Sequence, residues 1–480
     1  MSTSSVNSLS ALTDSLASSS SSSGTSSTTS GTSTGLGQGI NVQQFVQYAV
    51  SAQEATITGL QSQLTTLGSQ TSELSTISSE LTSLDNAANA LSDPLGAMAG
   101  ETATSSDSSI LQATADSTAS AGAHTISIAN LATTSSYYSD AVASSSTTLA
   151  TGDTIGISVG GNSVASVTVN ANDNTLTTIA AAINNATTAV HASVINDANG
   201  ARLALVSSTS GLPGNITVTG TLHLTDSTDA PIDFNQAVVG KNASLTVDGV
   251  PISSTTNTVS GVINGVTLSL SAPTVSNGTD NPVSLTVAPD TTQATNAINN
   301  FVSAYNSVIS EINNQFKVAS DGSGGGALEA DGTLSQVQSM LLSAAAYSVS
   351  GNSGMVNLAS IGVNMNDDGT LTVDNSALSS ALSSNFSAVQ NLLQNTTTGF
   401  AQNLDNVVQS INMPSTGILS VDSQSIANTS TDIESHITDL QAALILQEQS
   451  LTSVYSNVNA TLQELPMLES QINQQLASIA

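Results

Sequence analysis

The sequence predicts a multidomain α+β chain: terminal coiled-coil helices forming a stalk, a helical leg domain, and β-rich head domains in the middle. Three observations carry this. Both ends repeat apolar residues every seven positions, the middle alternates apolar and polar residues, and a broader helical stripe returns near Asp290. A seven-residue seam buries one line of side chains against another helix and is too narrow to wrap a globular core. Alternation with a period of two is the mark of a half-buried strand.

At the C-terminal end Ile437, Leu444, Leu451, Val458, Leu465, Ile472 and Ile479 keep the spacing, with Leu440, Val454 and Leu468 in the alternate seam position. At the N-terminal end Leu60, Leu67, Leu74, Leu81 and Ala88 do the same. These seams are the candidate oligomer and filament contacts, and they most simply pair with each other; a purely intramolecular hairpin is the competing reading. Apolar residues beside the seam, Ile445, Leu446, Leu462 and Leu476, point to additional helices packing there. Asn41, with Gln44 three residues on, predicts a helix start, and Asp93-Pro94 predicts its stop near Ser92. Pro466 should kink or end the last helix, because it removes a helical hydrogen bond.

Residues 1–34 are a Ser/Thr/Gly tract, read as a disordered export tail with too little apolar surface to offset ordering. The helix of 35–92 is expected to pair with 425–480. Residues 93–112 and 288–424 are assigned to the helical leg domain, 113–140 and 241–287 to one β-rich head domain, and 141–240 to a second. Within the leg, Phe301, Tyr305, Ile309 and Ile312 belong to a core-facing stripe. The Gly-rich Ser320–Gly326 follows, then a helix near Gln336–Tyr347. IGVNMNDDGTLTVD reads as a hairpin turning at Asp368-Gly369, ahead of a helix marked by Leu378, Leu382, Val389 and Leu393.

Composition excludes several functions. The 34 acidic residues face only 3 basic ones (Arg202, Lys241, Lys317), for a net charge of −31. Nucleic-acid binding needs clustered cations, as does docking on anionic lipid, so neither partner is expected. Cysteine is absent, which removes disulfide and thiolate chemistry. No apolar run reaches the ~18 residues of a membrane span, and the opening lacks the pattern of a standard secretory signal. Cytoplasmic residence and export by another signal both stay open on these grounds.

No enzyme emerges, and no cofactor or metal is expected. The Gly35–Gly39 run GLGQG lacks the spacing and preceding strand of a dinucleotide loop. Asn364, Asn366 and Asp368 have partial calcium-loop spacing, but the twelfth position is Asn375 where a bidentate Glu is needed. His124, His191, His223 and His436 stand apart from one another, and GNSG at Gly351–Gly354 has no matching histidine context.

Taken together, the segments resemble the flagellar filament cap family, flagellar hook-associated protein 2. GLGQGINVQQFVQYAVSAQ is similar to that family's opening. ALSDPLGAMAGETATSSDSSILQATADSTASAGAHTISIANLA resembles the close of its N-terminal region. NTLTTIAAAINNATTAVHASVINDANGARLALVSSTSGLPGNITVTG is similar to the hook IN motif, and ASLTVDGVPISSTTNTVSGVINGVTLSLSAP to the start of the C-terminal region. LASIGVNMNDDGTLTVDNSALSSALSSNFSAVQNLL is the most specific match. The resemblance implies an extracellular homo-oligomeric ring, often a pentamer, seated at the flagellum tip and helping flagellin fold and insert. It also implies export by the flagellar type III route, motility as the dependent trait, and, in some members, binding of host or environmental glycans. The alternatives are an adhesin with a β head on a stalk, or another axial protein such as a hook–filament junction protein. The chain departs from the family in its last helix, where LQAALILQEQSLTSVYSNVNATLQEL lacks the usual Arg and Lys.

Overall fold

The computed structural model describes residues 41–225, 229–276, 278–317 and 325–479, with the side chains of 476, 477 and 479 also left aside. The expected tail of 1–34, the lead Gly35–Ile40 and most of Ser320–Gly326 lie outside these residues. The helices are α1 Val42–Ser92, α2 Leu176–Ala186, α3 Thr291–Gln315, α4 Gly332–Ala345, α5 Asn375–Gln394, α6 Phe400–Asn412 and α7 Ile418–Ile479. Mixed helix and sheet with long terminal helices and a β-rich middle is the predicted fold class. The chain forms two compact units, one drawn from Met1–Gly68 with Ile426–Ala480 and the other from Ser69–Ser425.

The ends of α1 follow their local chemistry. Asn41 Oδ1 accepts from the Gln44 amide at 3.2 Å, which satisfies an N-terminal donor that the helix itself leaves open. At the other end the Asp93 carboxylate accepts from the Leu95 amide at 2.9 Å, and Pro94 prevents continuation. In α7 the helix does not end at Pro466, one of the two outcomes expected there, but runs through it to Ile479. A proline costs one rung of a ladder 62 residues long, and the intact turns on either side keep the helix going.

In the larger unit two sheets face each other across one core. A five-stranded sheet takes Glu101–Ser105, Val283–Pro289, Gly122–Asn130, Ala243–Val247 and Val250–Ser254 in that order, and a three-stranded one takes Thr258–Ser260, Val266–Leu270 and Leu111–Ala115. Alternate residues of both sheets, among them Ile126, Ile128, Leu245, Leu268 and Leu285, form one apolar cluster.

A second cluster lies between a four-stranded sheet (Phe234–Val238, Thr134–Ser139, Gly200–Ser210, Val190–Asp197), a three-stranded sheet (Asn162–Thr168, Thr154–Val159, Ile216–Thr219) and α2. Here the segment around α2 acquires a physical role. Thr175 caps α2 reciprocally with Thr178, and Ile183 is fully buried. Asn184 next to it clamps the strand, donating to the Ala192 carbonyl and accepting from the Ala192 amide, both at 2.8 Å. Gly214 is required further along, because a Cβ there would collide with the Thr209 carbonyl oxygen.

The helices α3–α6 and the later turns of α1 bury Leu74, Ile77, Leu81, Leu84, Phe301, Tyr305 and Phe400 in the same unit. Phe301 meets Phe400 edge-on at 5.4 Å between ring centroids, a favoured aromatic geometry. Asn412 of α6 accepts from the Ser78 hydroxyl at 2.6 Å and donates to the Ser78 carbonyl at 2.9 Å, tying α6 to α1. The hairpin Val363–Met365/Leu371–Val373 turns through Gly369 at φ 83°. Asn306 of α3 grips it, accepting from the Leu371 amide at 2.6 Å and donating to the Leu371 carbonyl at 2.8 Å. Asp374 then caps α5.

Candidate assembly surface: the terminal helix pair

The smaller unit is a pair of helical segments, α1 up to Gly68 and α7 from Ile426. Phe45 lies against Tyr455 at 5.8 Å between centroids, and Gln53 Nε2 donates to Gln447 Oε1 at 2.9 Å. Moving up α1 from one contact to the other moves back along α7 by the same number of residues, so the segments are antiparallel. Val50, Ile57, Ile437 and Leu444 are buried between them, with Leu60, Leu64, Ile433, Leu440 and Leu451 packed around.

Polar groups interrupt this narrow contact. The Gln53–Gln447 bond crosses the pair, and Gln53 Oε1 is buried with no partner among the described residues. A buried amide that is half satisfied costs stability and disfavours a slipped register that would strand it further. Burial and the neighbouring Glu54 charge raise the Glu448 carboxyl above its ordinary range.

Of the predicted seam residues, Leu60, Ile437, Leu444 and Leu451 come together in this pair. Leu67 is half-buried on the same helix, and Leu74 and Leu81 are buried within the larger unit. Val458, Leu465 and Ile472 are exposed by 44%, 44% and 52%. Ile479 lies outside the residues whose side chains are described. Val50, absent from the seven-residue series chosen from the sequence, is the most buried seam residue of the pair. Its spacing of seven from Ile57 was the available signal.

Two carboxyl pairs mark the larger unit. Burial first, then hydrogen bonding and repulsion from Asp405, push Asp85 of α1 up to about 6, against a weaker opposing bond from Asn89. Burial followed by the same two effects of Asp331 pushes Asp422 of α7 to about 6. Asp85 Oδ1 and Asp422 Oδ2 are buried without a donor among the described residues, so a proton shared across each pair relieves both the charge and the missing bond.

Among the described residues no group of three or more His, Asp or Glu could hold a metal ion, and no helix is long and apolar enough to cross a membrane. Long terminal helices, a helical domain and β-rich modules in mid-chain define a structural protein built for assembly. The family model described as the C-terminus of flagellar hook-associated protein 2 matches residues 240–466, and the one for its N-terminus matches residues 38–135. The B-type flagellar hook-associated protein 2 of Pseudomonas aeruginosa is 30% identical over 400 residues, covering 79% of this chain and 83% of that protein. Flagellar hook-associated protein 2 of Salmonella typhimurium is 31% identical over 176 residues, 34% of this chain and 36% of its own length. The crystal structure of the D1-D2-D3 domains of the flagellar cap protein FliD from Escherichia coli superposes with a TM-score of 0.54 at 30% identity, over 74% of this chain and 99% of that one. The chain belongs to the flagellar hook-associated protein 2 family, the structural family of the flagellar filament cap.

Proposed function

We propose that this chain caps the growing flagellar filament as a closed ring of its own copies, a pentamer by resemblance. In this reading the β-rich head domains form a plate and the terminal helices reach flagellin at the tip, where incoming subunits fold and insert. The chain reaches the tip through the flagellar type III route. The observation that carries the reading is the seam of α7, which is buried at Ile437 and Leu444 yet open at Val458, Leu465 and Ile472. Such a helix keeps its fold while exchanging what it touches. The contact seam comprises Leu60, Leu67, Leu74, Leu81, Ile437, Leu444, Leu451, Val458, Leu465, Ile472 and Ile479.

Leu451→Asp tests it, by placing a charge in an apolar seam. In a strain lacking the native gene, this variant should leave cells non-motile and shedding flagellin monomer while its head domains stay folded. Normal filaments from it would end the seam's assigned role. Electron microscopy of the purified protein would count the copies in the ring.

A second reading, adhesion to glycans, has one observation in its favour. On the four-stranded sheet Tyr138 is 39% exposed and carries the Arg202 guanidinium 5.6 Å from its ring centroid. An adhesin alone predicts that cells without the protein still swim.

A further inference from the structure

The four-stranded sheet packed on α2 has one face in the core and one open. Leu203 and Leu205 belong to the core, as do Ala192 and Tyr137, so Arg202, Ala204 and Val206, alternating with them, point the other way. The strand pairings set out this open face row by row. His191, Val206, Ser136 and Val238 lie across the four strands, and Ser193, Ala204, Tyr138 and Asn235 form the next row. Ile195 and Arg202 begin a third.

Tyr138, Val206, Val238 and Ile195 are exposed by 39%, 41%, 41% and 56%. Scattered single apolar residues are ordinary on a surface, but these four share three neighbouring rows of one sheet. Tyr138 stands diagonally beside both Val206 and Val238, within reach of side-chain contact.

Charge says what can approach. The first two rows contain no acidic side chain, lysine or arginine. In the third, Arg202 is paired with Asp197 at 3.7 Å, and Asp140 beside it accepts from Asn235 at 3.2 Å. With 34 acidic residues against 3 basic ones, a second copy is repelled wherever the acidic residues dominate and hardly at all here. A cationic partner would find no acidic side chain in those first two rows to pair with.

We propose that this open face is a contact between two copies of the chain, packed sheet against sheet about a two-fold axis. Apolar side chains from two such faces interdigitate as they do inside a sandwich. Four strands about 4.8 Å apart and five residues of about 3.4 Å each make a face of about 300 Å². Two copies then bury about 600 Å², below the roughly 1,200 Å² of a stable complex, so the contact is weak and forms at high protein concentration. Copies already held side by side would multiply it by avidity.

The chain has no cysteine, so single thiols report the contact in the full-length protein. Ser136→Cys places one between Val206 and Val238. Ala181→Cys places one at an exposed position of α2, which packs on the core face of the sheet. Each rate of disulfide-linked dimer formation is divided by the same thiol's rate with a small disulfide reagent, which removes differences in access. The expected ratio is about tenfold higher for Ser136→Cys, because docking raises the local concentration of its partner thiol. Ile195→Asp and Tyr138→Asp, both at exposed positions, should each bring it down to the Ala181→Cys level. Sedimentation of the cysteine-free protein over a concentration series should show dimers in the parent and fewer in either variant. Equal ratios at the two sites, or dimers indifferent to both substitutions, overturn the proposal. An isologous contact joins copies in pairs and cannot by itself close a ring, so it lies beyond the capping role, and its absence would leave that role to its own test.

Discussion

The head module around α2 and the terminal helix pair solve the same burial problem at different widths. The module encloses its core between two sheets and a helix, with Leu176, Ile179, Ile183, Leu203 and Leu205 at 0% exposure. Among the described residues the helix pair gathers only four buried residues, Val50, Ile57, Ile437 and Leu444, into its apolar cluster, with Val46 buried separately. Each residue of the module has neighbours on every side, so its geometry is over-determined. The pair offers a single narrow line of contact, and the residues around it, Leu60, Leu64, Ile433, Leu440 and Leu451, are only partly covered. The width of the apolar surface thus separates a closed core from a narrow contact within one chain.

Breaking the wide cores should cost most. Phe301→Ala removes a ring packed on Phe400 and should destabilise the larger unit by about 3–5 kcal/mol in urea unfolding. Ile179→Ala should cost about 2–5 kcal/mol in the α2 module by the same mechanism. Leu444→Asp, in contrast, should reduce helicity at 222 nm while leaving the urea midpoint of the sheet modules unchanged, because it opens only the narrow contact. If that midpoint falls as well, the two regions are not energetically separate.

The acid pairs sharpen the comparison at a smaller scale. Asp85 and Asp422 have folded-state values raised from 3.8 to about 6. The stability they contribute is therefore fully present below 3.8 and lost as pH rises through 6. Thermal unfolding of the larger unit should accordingly occur at lower temperature at pH 8 than at pH 5. Asp85→Asn should flatten that dependence and add about 1 kcal/mol at pH 8, allowing for partial solvent screening. A steeper profile in the variant would contradict the shared proton. Least of all, Gln447→Leu should change stability by a few tenths of a kcal/mol while loosening register, read as broadened spin-label distances across the pair.

Much of this was legible in the sequence where the cause is local. Asn41 and Asp93-Pro94 bound α1 because capping and proline chemistry act within a few residues. Asp368-Gly369 marked the hairpin for the same reason. What periodicity could not supply was the identity of the covering surface. Leu60 and Leu74 occupy equivalent positions in one repeat, yet Leu60 packs half-buried beside α7 and Leu74 is buried within the larger unit. Pairings such as Leu111–Ala115 with Val266–Leu270 join strands about 150 residues apart, and no local pattern encodes the match. The carboxyl pairs were hidden likewise, since Asp85 and Asp405 meet only after folding.

Pro466 has a mechanical consequence. Its ring nitrogen has no hydrogen to offer the carbonyl of Leu462, so α7 lacks one internal tie there. A rod gives way where a tie is missing. The last turns of α7 should therefore yield to a sideways load at Pro466 sooner than anywhere else along the rod.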